Sequence, residues 1–250
     1  MDTVTHEVVE PRRASMTRSR AVTLLAWASA CLAVVAVFGL MLTQDRSPLD
    51  GFDRWGRQAE GWADNHAALV TVLRFVEVAF ATFGMIIWTT LVVLAVASRR
   101  RFRAAAFAIV VMVATSLATS GVKVWLGRGR PEWQDAVDQL TTKSFPSGHA
   151  SSSAALAGVL ILLAWSLFRK SRTRWVITGV AVVVWVVVCL DRVLLGRHYP
   201  TDVVAGTFLG IAVVLLGIVV FDPARVRARD GGPSSGGGDP GRTTERVGRP

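Results

Sequence analysis

Charge is scarce in this chain. Only 18% of its 250 residues are Asp, Glu, Lys or Arg, against 52% apolar and a mean hydropathy of +0.44. A water-soluble domain of this length carries more charge and scatters its apolar residues. Here they fall into long uncharged runs, which points to the bilayer, since a helix needs about 20 apolar residues to cross the hydrocarbon. Cysteine is scarcer still. Cys31 and Cys189 both lie within apolar runs, so no disulfide framework is implied. The Ala28-Ser29-Ala30-Cys31 stretch has a faint likeness to a lipoprotein processing site. Few apolar residues precede it and the run continues past it, so helix packing is the expected role. The first run is also too long for a cleaved signal peptide and is expected to stay as an anchor. Positive charge is in excess, with a net +10 and a pI of about 11.2. No aromatic and basic platform of the single-strand-binding kind accompanies it, and no nucleic-acid partner is expected.

The arginines instead sit between apolar runs, where they signal topology. Six spans are expected, over roughly 21–43, 67–97, 104–126, 148–168, 175–195 and 202–221. Residues 1–20 form a polar N-terminal segment, 21–221 a membrane domain, and 222–250 a basic tail rich in Gly, Pro and Ser. That tail composition predicts disorder. Arg12, Arg13, Arg18 and Arg20 precede span one; Arg99, Arg100, Arg101 and Arg103 follow span two. Arg169, Lys170, Arg172 and Arg174 follow span four, and Arg225, Arg227 and Arg229 follow span six. With six spans all of these fall on one side, which predicts both termini in the cytoplasm. The other connections, near 44–66, 127–147 and 196–201, then face outward, and the first is acidic. No internal repeat is needed to explain the pattern. The expected fold is all-α: a six-transmembrane-helix bundle in the cell membrane, with its active site at the extracytoplasmic face.

Polar residues at membrane depth are costly and raise a functional question. Three clusters map to the outward side. One holds Lys123, Arg128, Arg130 and Pro131; another is Pro146-Ser147-Gly148-His149; the third is Asp191-Arg192 with Arg197-His198-Tyr199-Pro200-Thr201-Asp202. Lys123, Arg130 and Arg192 offer converging cations, and guanidinium forks match phosphate oxygens. Ser147 and Gly148 stand where span four begins, and backbone N–H groups at a helix N-terminus attract anions. Together these make a phosphate cradle flanked by His149 and His198. Asp202, four residues after His198, is placed to accept its ring N–H. An oriented imidazole can act as nucleophile while a second histidine protonates the leaving oxygen.

Lys123 with Arg130-Pro131, then Pro146-Ser147-Gly148-His149, then Arg192, His198 and Asp202 resemble the three-part signature of the type-2 phosphatidic acid phosphatase family. That family is similar in its site to the vanadium haloperoxidases. The resemblance covers about residues 67–221. It implies a six-helix integral membrane phosphatase independent of metal and cofactor, acting on lipid phosphates. By resemblance, His198 is the nucleophile, Asp202 its orienting carboxylate and His149 the general acid. Lys123, Arg130, Ser147, Gly148 and Arg192 are the phosphate binders. The chain departs from the pattern at Asp191, where serine is common; an aspartate there can pair with Arg192, and it is left outside the site.

Other polar residues have plainer readings. Arg128 and Arg197 read as interfacial arginines, Arg74 and Glu77 as a same-face pair on span two, and His6 and His66 as solvated. Trp55, Trp62, Trp125, Trp133 and Trp175 fit an aromatic belt. Ser151, Ser152, Ser153, Gly206 and Gly210 are small residues that let helices approach. The expected partners are the bilayer and a lipid phosphate or diphosphate, with a lean towards a polyprenyl diphosphate over phosphatidic acid or phosphatidylglycerol phosphate. Oligomeric state is not legible. The alternatives are a transporter or flippase that binds an anionic lipid without cleaving it, and a haloperoxidase-like use of the cradle.

Overall fold

The computed structural model describes residues 16–44, 47–133 and 142–221. The expectations for most of the N-terminal segment and for the tail 222–250 lie outside the described residues. Among the described residues every regular element is a helix: α1 (Arg18–Met41), α2 (Asp50–Asp64), α3 (Ala67–Ala79), α4 (Thr82–Ala97), α5 (Phe102–Leu126), α6 (Gly148–Leu167), α7 (Ser171–Leu194) and α8 (Pro200–Phe221). Five of them, α1, α5, α6, α7 and α8, are each long and apolar enough to cross a membrane. At 1.5 Å per residue a 20-residue helix covers about 30 Å, the thickness of the hydrocarbon. Large apolar side chains such as Trp27, Phe83, Val124 and Val183 point outward, as a lipid-facing surface requires.

The span expected over 67–97 is two helices. α3 and α4 meet at a 61° bend and together have the length and apolar character of a broken span or a re-entrant loop. Ala81 takes an extended conformation (ψ 174°) that interrupts the helical ladder. The Ala79 carbonyl accepts the Trp88 indole N–H at 3.1 Å. The 44–66 connection also differs from a plain loop, because it folds into α2. Three glycines and many charges hide that helix from a propensity reading. Its buried positions Asp53, Gly56 and Ala63 fall on one face, while Phe52, Trp55 and Trp62 are exposed. Gly56 lies so close to α8 that a Cβ there would come within 2.7 Å of Pro200.

Contacts between connections sort the helix ends from α5 onward. Arg99–Arg103 and Arg169–Arg174 gather at one end of the bundle, where Arg103 Nη2 donates to the Phe221 carbonyl at 2.9 Å. The C-termini of α5 and α7 and the N-termini of α6 and α8 gather at the other. α8 runs through the middle, packed against α1, α5 and α6. Its contact with α6 is backbone to backbone: a Cβ on Gly206 would lie 2.5 Å from the Ser147 carbonyl oxygen, and one on Gly210 2.3 Å from that of Ser151. Only glycine permits this approach.

Gly210→Ala is therefore expected to destabilise the protein by about 1–3 kcal/mol through overpacking. Gly179→Ala on α7, where an added Cβ meets nothing within 4 Å, is expected to cost nothing. Thermal unfolding in detergent of the two variants beside wild type checks the difference.

Candidate functional site

The site is built on the start of α8. α7 ends at Leu194 and the chain turns through residues 195–199 before Pro200 opens α8. Proline suits that first position because its missing N–H would have no helical partner. Two turns of physical chemistry then fix His198 and Asp202. Asp202 Oδ2 reaches back to accept the Tyr199 backbone N–H at 3.1 Å, as a capping carboxylate does. The same oxygen lies 3.4 Å from His198 Nδ1 and also accepts the Ser144 hydroxyl. Asp202 is fully buried and His198 nearly so. With Nδ1–H directed at the carboxylate, the lone pair of the imidazole is on Nε2. That nitrogen faces Arg130 Nη1 at 3.5 Å.

Cations surround this nitrogen. The Arg130 Nη1 also donates to the Arg197 carbonyl at 2.6 Å, and its Nε to the Thr142 carbonyl at 2.8 Å. Lys123, at the end of α5, donates to the carbonyls of Lys143 and Ser144. Gly127, in the left-handed conformation (φ 65°), ends α5 and turns the chain into the Arg128–Pro131 segment. Burial pushes the His198 imidazole down to about 4, helped by the charges of Arg130 and Lys123 and opposed by Asp202. It is therefore neutral at pH 7. Burial also lowers Arg130, to about 10, with Arg192 and Arg197 adding to the effect; it stays a cation.

The other sequence-predicted residues sit around this pair. Ser147 caps α6, its hydroxyl accepting the Ala150 N–H at 3.5 Å, and its own N–H donates to the Asp202 carbonyl at 2.9 Å. Gly148 follows as the first residue of α6. His149 and Arg192 are joined through Glu77 of α3. His149 Nε2 lies 3.3 Å from the Glu77 carbonyl oxygen, and Arg192 Nη1 donates to its carboxylate at 3.0 Å. Arg192 is 1% exposed and also pairs with Asp191, the pairing that the Asp191-Arg192 sequence suggested.

Several residues have roles that the sequence did not disclose. Arg128 and Arg197, read as interfacial, both turn inward. Arg128 donates to Asp202 Oδ1 at 2.7 Å and to Asp53 Oδ2 at 2.6 Å, and its guanidinium stacks 3.8 Å over the Tyr199 ring. Burial opposes the charge on Arg128, but Asp202 and Asp53 more than offset this and raise its pKa. Arg197 donates to both carboxylate oxygens of Glu77, at 3.0 and 3.3 Å. Glu77 thus faces two arginines from the far end of the chain. Asp53, Glu77 and Ser144 carry no local signal beyond their polarity, because distant segments bring their partners. Among the described residues no group of three or more His, Cys, Asp and Glu side chains is arranged to hold a metal ion.

A cavity of about 590 Å³ opens beside the site, between α4, α5 and α6. Lys123, Gly148 and His149 line it together with apolar side chains such as Met85, Ile109 and Val113. A charged end and an apolar length share one space.

These features define an all-helical, multi-spanning membrane protein whose buried histidine–carboxylate pair and ring of cations occupy one end of the bundle. Part of the chain is similar to known proteins. Residues 104–225 match the family model of the PAP2 superfamily. It is 34% identical over 96 residues to phosphatidylglycerophosphatase B of Bacillus subtilis, covering 38% of this chain and 47% of the relative. It is 29% identical over 119 residues to lipid A 1-phosphatase of Rhizobium johnstonii, covering 44% and 45%. Over 76 residues it is 37% identical to the glucose-6-phosphatase catalytic subunit 1 of Rattus norvegicus, covering 27% and 21%. The matches thus span less than half the length of each relative. The fold is similar to the crystal structure of a transmembrane PAP2-type phosphatidylglycerolphosphate phosphatase from Bacillus subtilis. That likeness has a TM-score of 0.66 and 20% identity, and covers 76% of this chain and 93% of the other.

The lowered His198 pKa has a stability consequence with a definite sign. Between about pH 6.5 and 4 the unfolded imidazole takes up a proton that the folded one refuses. Stability is therefore expected to fall as pH drops through that window, by up to about 3 kcal/mol. Thermal unfolding against pH should show a shallower loss for His198→Asn, which removes the titrating ring.

Proposed function

We propose that this protein is a membrane phosphohydrolase that removes phosphate from a lipid phosphate ester or diphosphate through a phosphohistidine, without a metal. The observation that carries this reading is the imidazole of His198: its Nδ1 faces the Asp202 carboxylate and its Nε2 faces the Arg130 guanidinium. A neutral nitrogen lone pair beside a phosphate-matching cation is the arrangement an in-line attack on phosphorus requires. Lys123, Arg130, Arg192 and the backbone at Ser147 and Gly148 hold the phosphate oxygens. Nε2 forms a bond to phosphorus as the bond to the leaving oxygen breaks, and His149 gives that oxygen its proton. Water then attacks the phosphohistidine, His149 takes the proton back, and inorganic phosphate leaves with His198 restored. Asp202 keeps the ring oriented and stabilises the charge that develops on it. The cationic side chains carry the electrostatic load on the transferring group.

The lipid character of the substrate is supported by the cavity. Its Lys123 and His149 end suits an anionic head, and the apolar length between α4 and α5 suits a chain. The names of the Bacillus and Rhizobium relatives, a phosphatidylglycerophosphatase and a lipid A 1-phosphatase, point the same way. A soluble sugar phosphate, as the rat relative's name indicates for that protein, leaves the apolar length without a role. The basic connections gather at the end of the bundle away from the site, which supports a cytoplasmic side for them and an extracytoplasmic site.

The test is phosphate release by detergent-purified protein, with EDTA present, from phosphatidylglycerol phosphate, phosphatidic acid and polyprenyl diphosphate. Release is expected from at least one, with a loss of 1,000-fold or more (an order-of-magnitude figure) in His198→Ala. Asp202→Asn should retain binding and lose most of the turnover, since the ring is no longer held. Lipid binding with no release by wild type would instead favour a transporter, and dependence on added metal would overturn the proposed chemistry.

A further inference from the structure

We propose that Asp53, on the amphipathic helix α2, is a positioning residue for the reaction. It would hold the histidine–carboxylate pair in register through Arg128 and the first turn of α8. The inference rests on the phosphohydrolase reading and extends the site beyond the segment matched by the family, because Asp53 precedes residue 104. A solvated acidic connection has no need to bury a carboxylate, yet Asp53 is only 4% exposed. Among the described residues its side-chain hydrogen bonds point at the site. Oδ1 accepts the Thr201 backbone N–H at 3.1 Å, and Oδ2 accepts the Thr201 hydroxyl at 2.9 Å and Arg128 Nη2 at 2.6 Å. The Thr201 N–H is one of the donors that a helix start leaves unsatisfied. Asp53 therefore acts as an external cap for α8, one residue before Asp202.

Arg128 connects the two carboxylates. One arm of its guanidinium binds Asp53, and the other binds Asp202 Oδ1 at 2.7 Å and the Thr201 hydroxyl at 2.9 Å. Asp202 thus has one oxygen on Arg128 and the other facing His198. If Arg128 faced Asp202 alone, its full charge would fall on that carboxylate and weaken it as an acceptor for the imidazole N–H. Sharing the cation with Asp53 moderates that pull and fixes the fork. The close approach of Gly56 to Pro200 locks α2 against the same turn, so the clamp is rigid rather than a loose surface pair. None of these contacts touches the space beside Nε2 where phosphate would sit, so Asp53 acts on the chemical step through Asp202.

Asp53→Asn keeps the size and removes the charge. It is expected to lower kcat for phosphate release by about 10- to 100-fold with KM little changed, as for a displaced catalytic pair. Combining it with Arg128→Gln should add little to the loss from Arg128→Gln alone, because both act through one network. A loss confined to KM, full additivity with Arg128→Gln, or unchanged kcat would overturn the proposal. If Asp53→Asn does not fold, Thr201→Val removes only the hydroxyl contacts and should give a smaller loss of the same kind; unchanged kcat there is also fatal. Hydrogen exchange across residues 198–204 supplies a readout independent of turnover. It should rise in Asp53→Asn, and unchanged exchange would overturn the clamp. Absence of phosphate release by wild type, with the exchange difference present, would sink the phosphohydrolase reading and leave the clamp standing.

Discussion

The contact between α6 and α8 is the constraint on which the rest of the site depends. Both helices start at the same end of the bundle, and each start carries half of the candidate site: Ser147, Gly148 and His149 on one, His198 to Asp202 on the other. Gly206 and Gly210 let the two backbones close to a separation that no side chain would allow. The Ser147 N–H then bonds the Asp202 carbonyl at 2.9 Å. One hydrogen bond between backbones, made possible by two missing side chains a helical turn apart, ties the start of α6 to the turn that carries His198 and Asp202. In lipid, where apolar surface gives helices little reason to prefer one another, such close packing is a main source of specific association.

Around that contact the bundle buries charge at a high cost. An isolated ion at this depth is strongly disfavoured, and a buried pair compensates only when its hydrogen bonds are well made. The structure meets this with two networks instead of single pairs. Arg128 is shared by Asp53 and Asp202, and Glu77 is shared by Arg192 and Arg197. In each network one member comes from the N-terminal half, from α2 or α3, and the rest from the segment after α5, the end of α7, the turn after it and the start of α8. The first half of the chain, outside the family-matched segment, therefore supplies counter-charges to arginines of the second half. Glu77 has a double position, since its carboxylate faces the arginines and its carbonyl faces His149. It also stands just before the α3–α4 bend, next to the cavity.

That cavity gives the site its amphiphilic character. A cationic site open only to water would suit any small anion. Here the cationic end continues into a space walled by the apolar faces of α4, α5 and α6. The break between α3 and α4 sits at the same level, with Phe80 and Thr82 lining the space. Geometry of this kind matches a molecule whose head and tail have opposite solubility.

The amino-acid sequence by itself determined the membrane class, the apolar runs and the side on which basic connections gather, because hydropathy and arginine placement act locally along the chain. It also placed His198 four residues before Asp202, a spacing that one helix start converts directly into a contact. The α3–α4 bend, the helix α2 and the inward turn of Arg128 and Arg197 were decided by tertiary structure. An arginine beside a helix end reads the same whether it faces lipid heads or a buried carboxylate, and the difference is made by Asp53 and Glu77, more than 70 residues away in each case. Long-range partners of that kind leave no trace in local pattern. Only the packing of α2 against α7 and α8, and of α3 against α7, brings the charges close enough to choose one another.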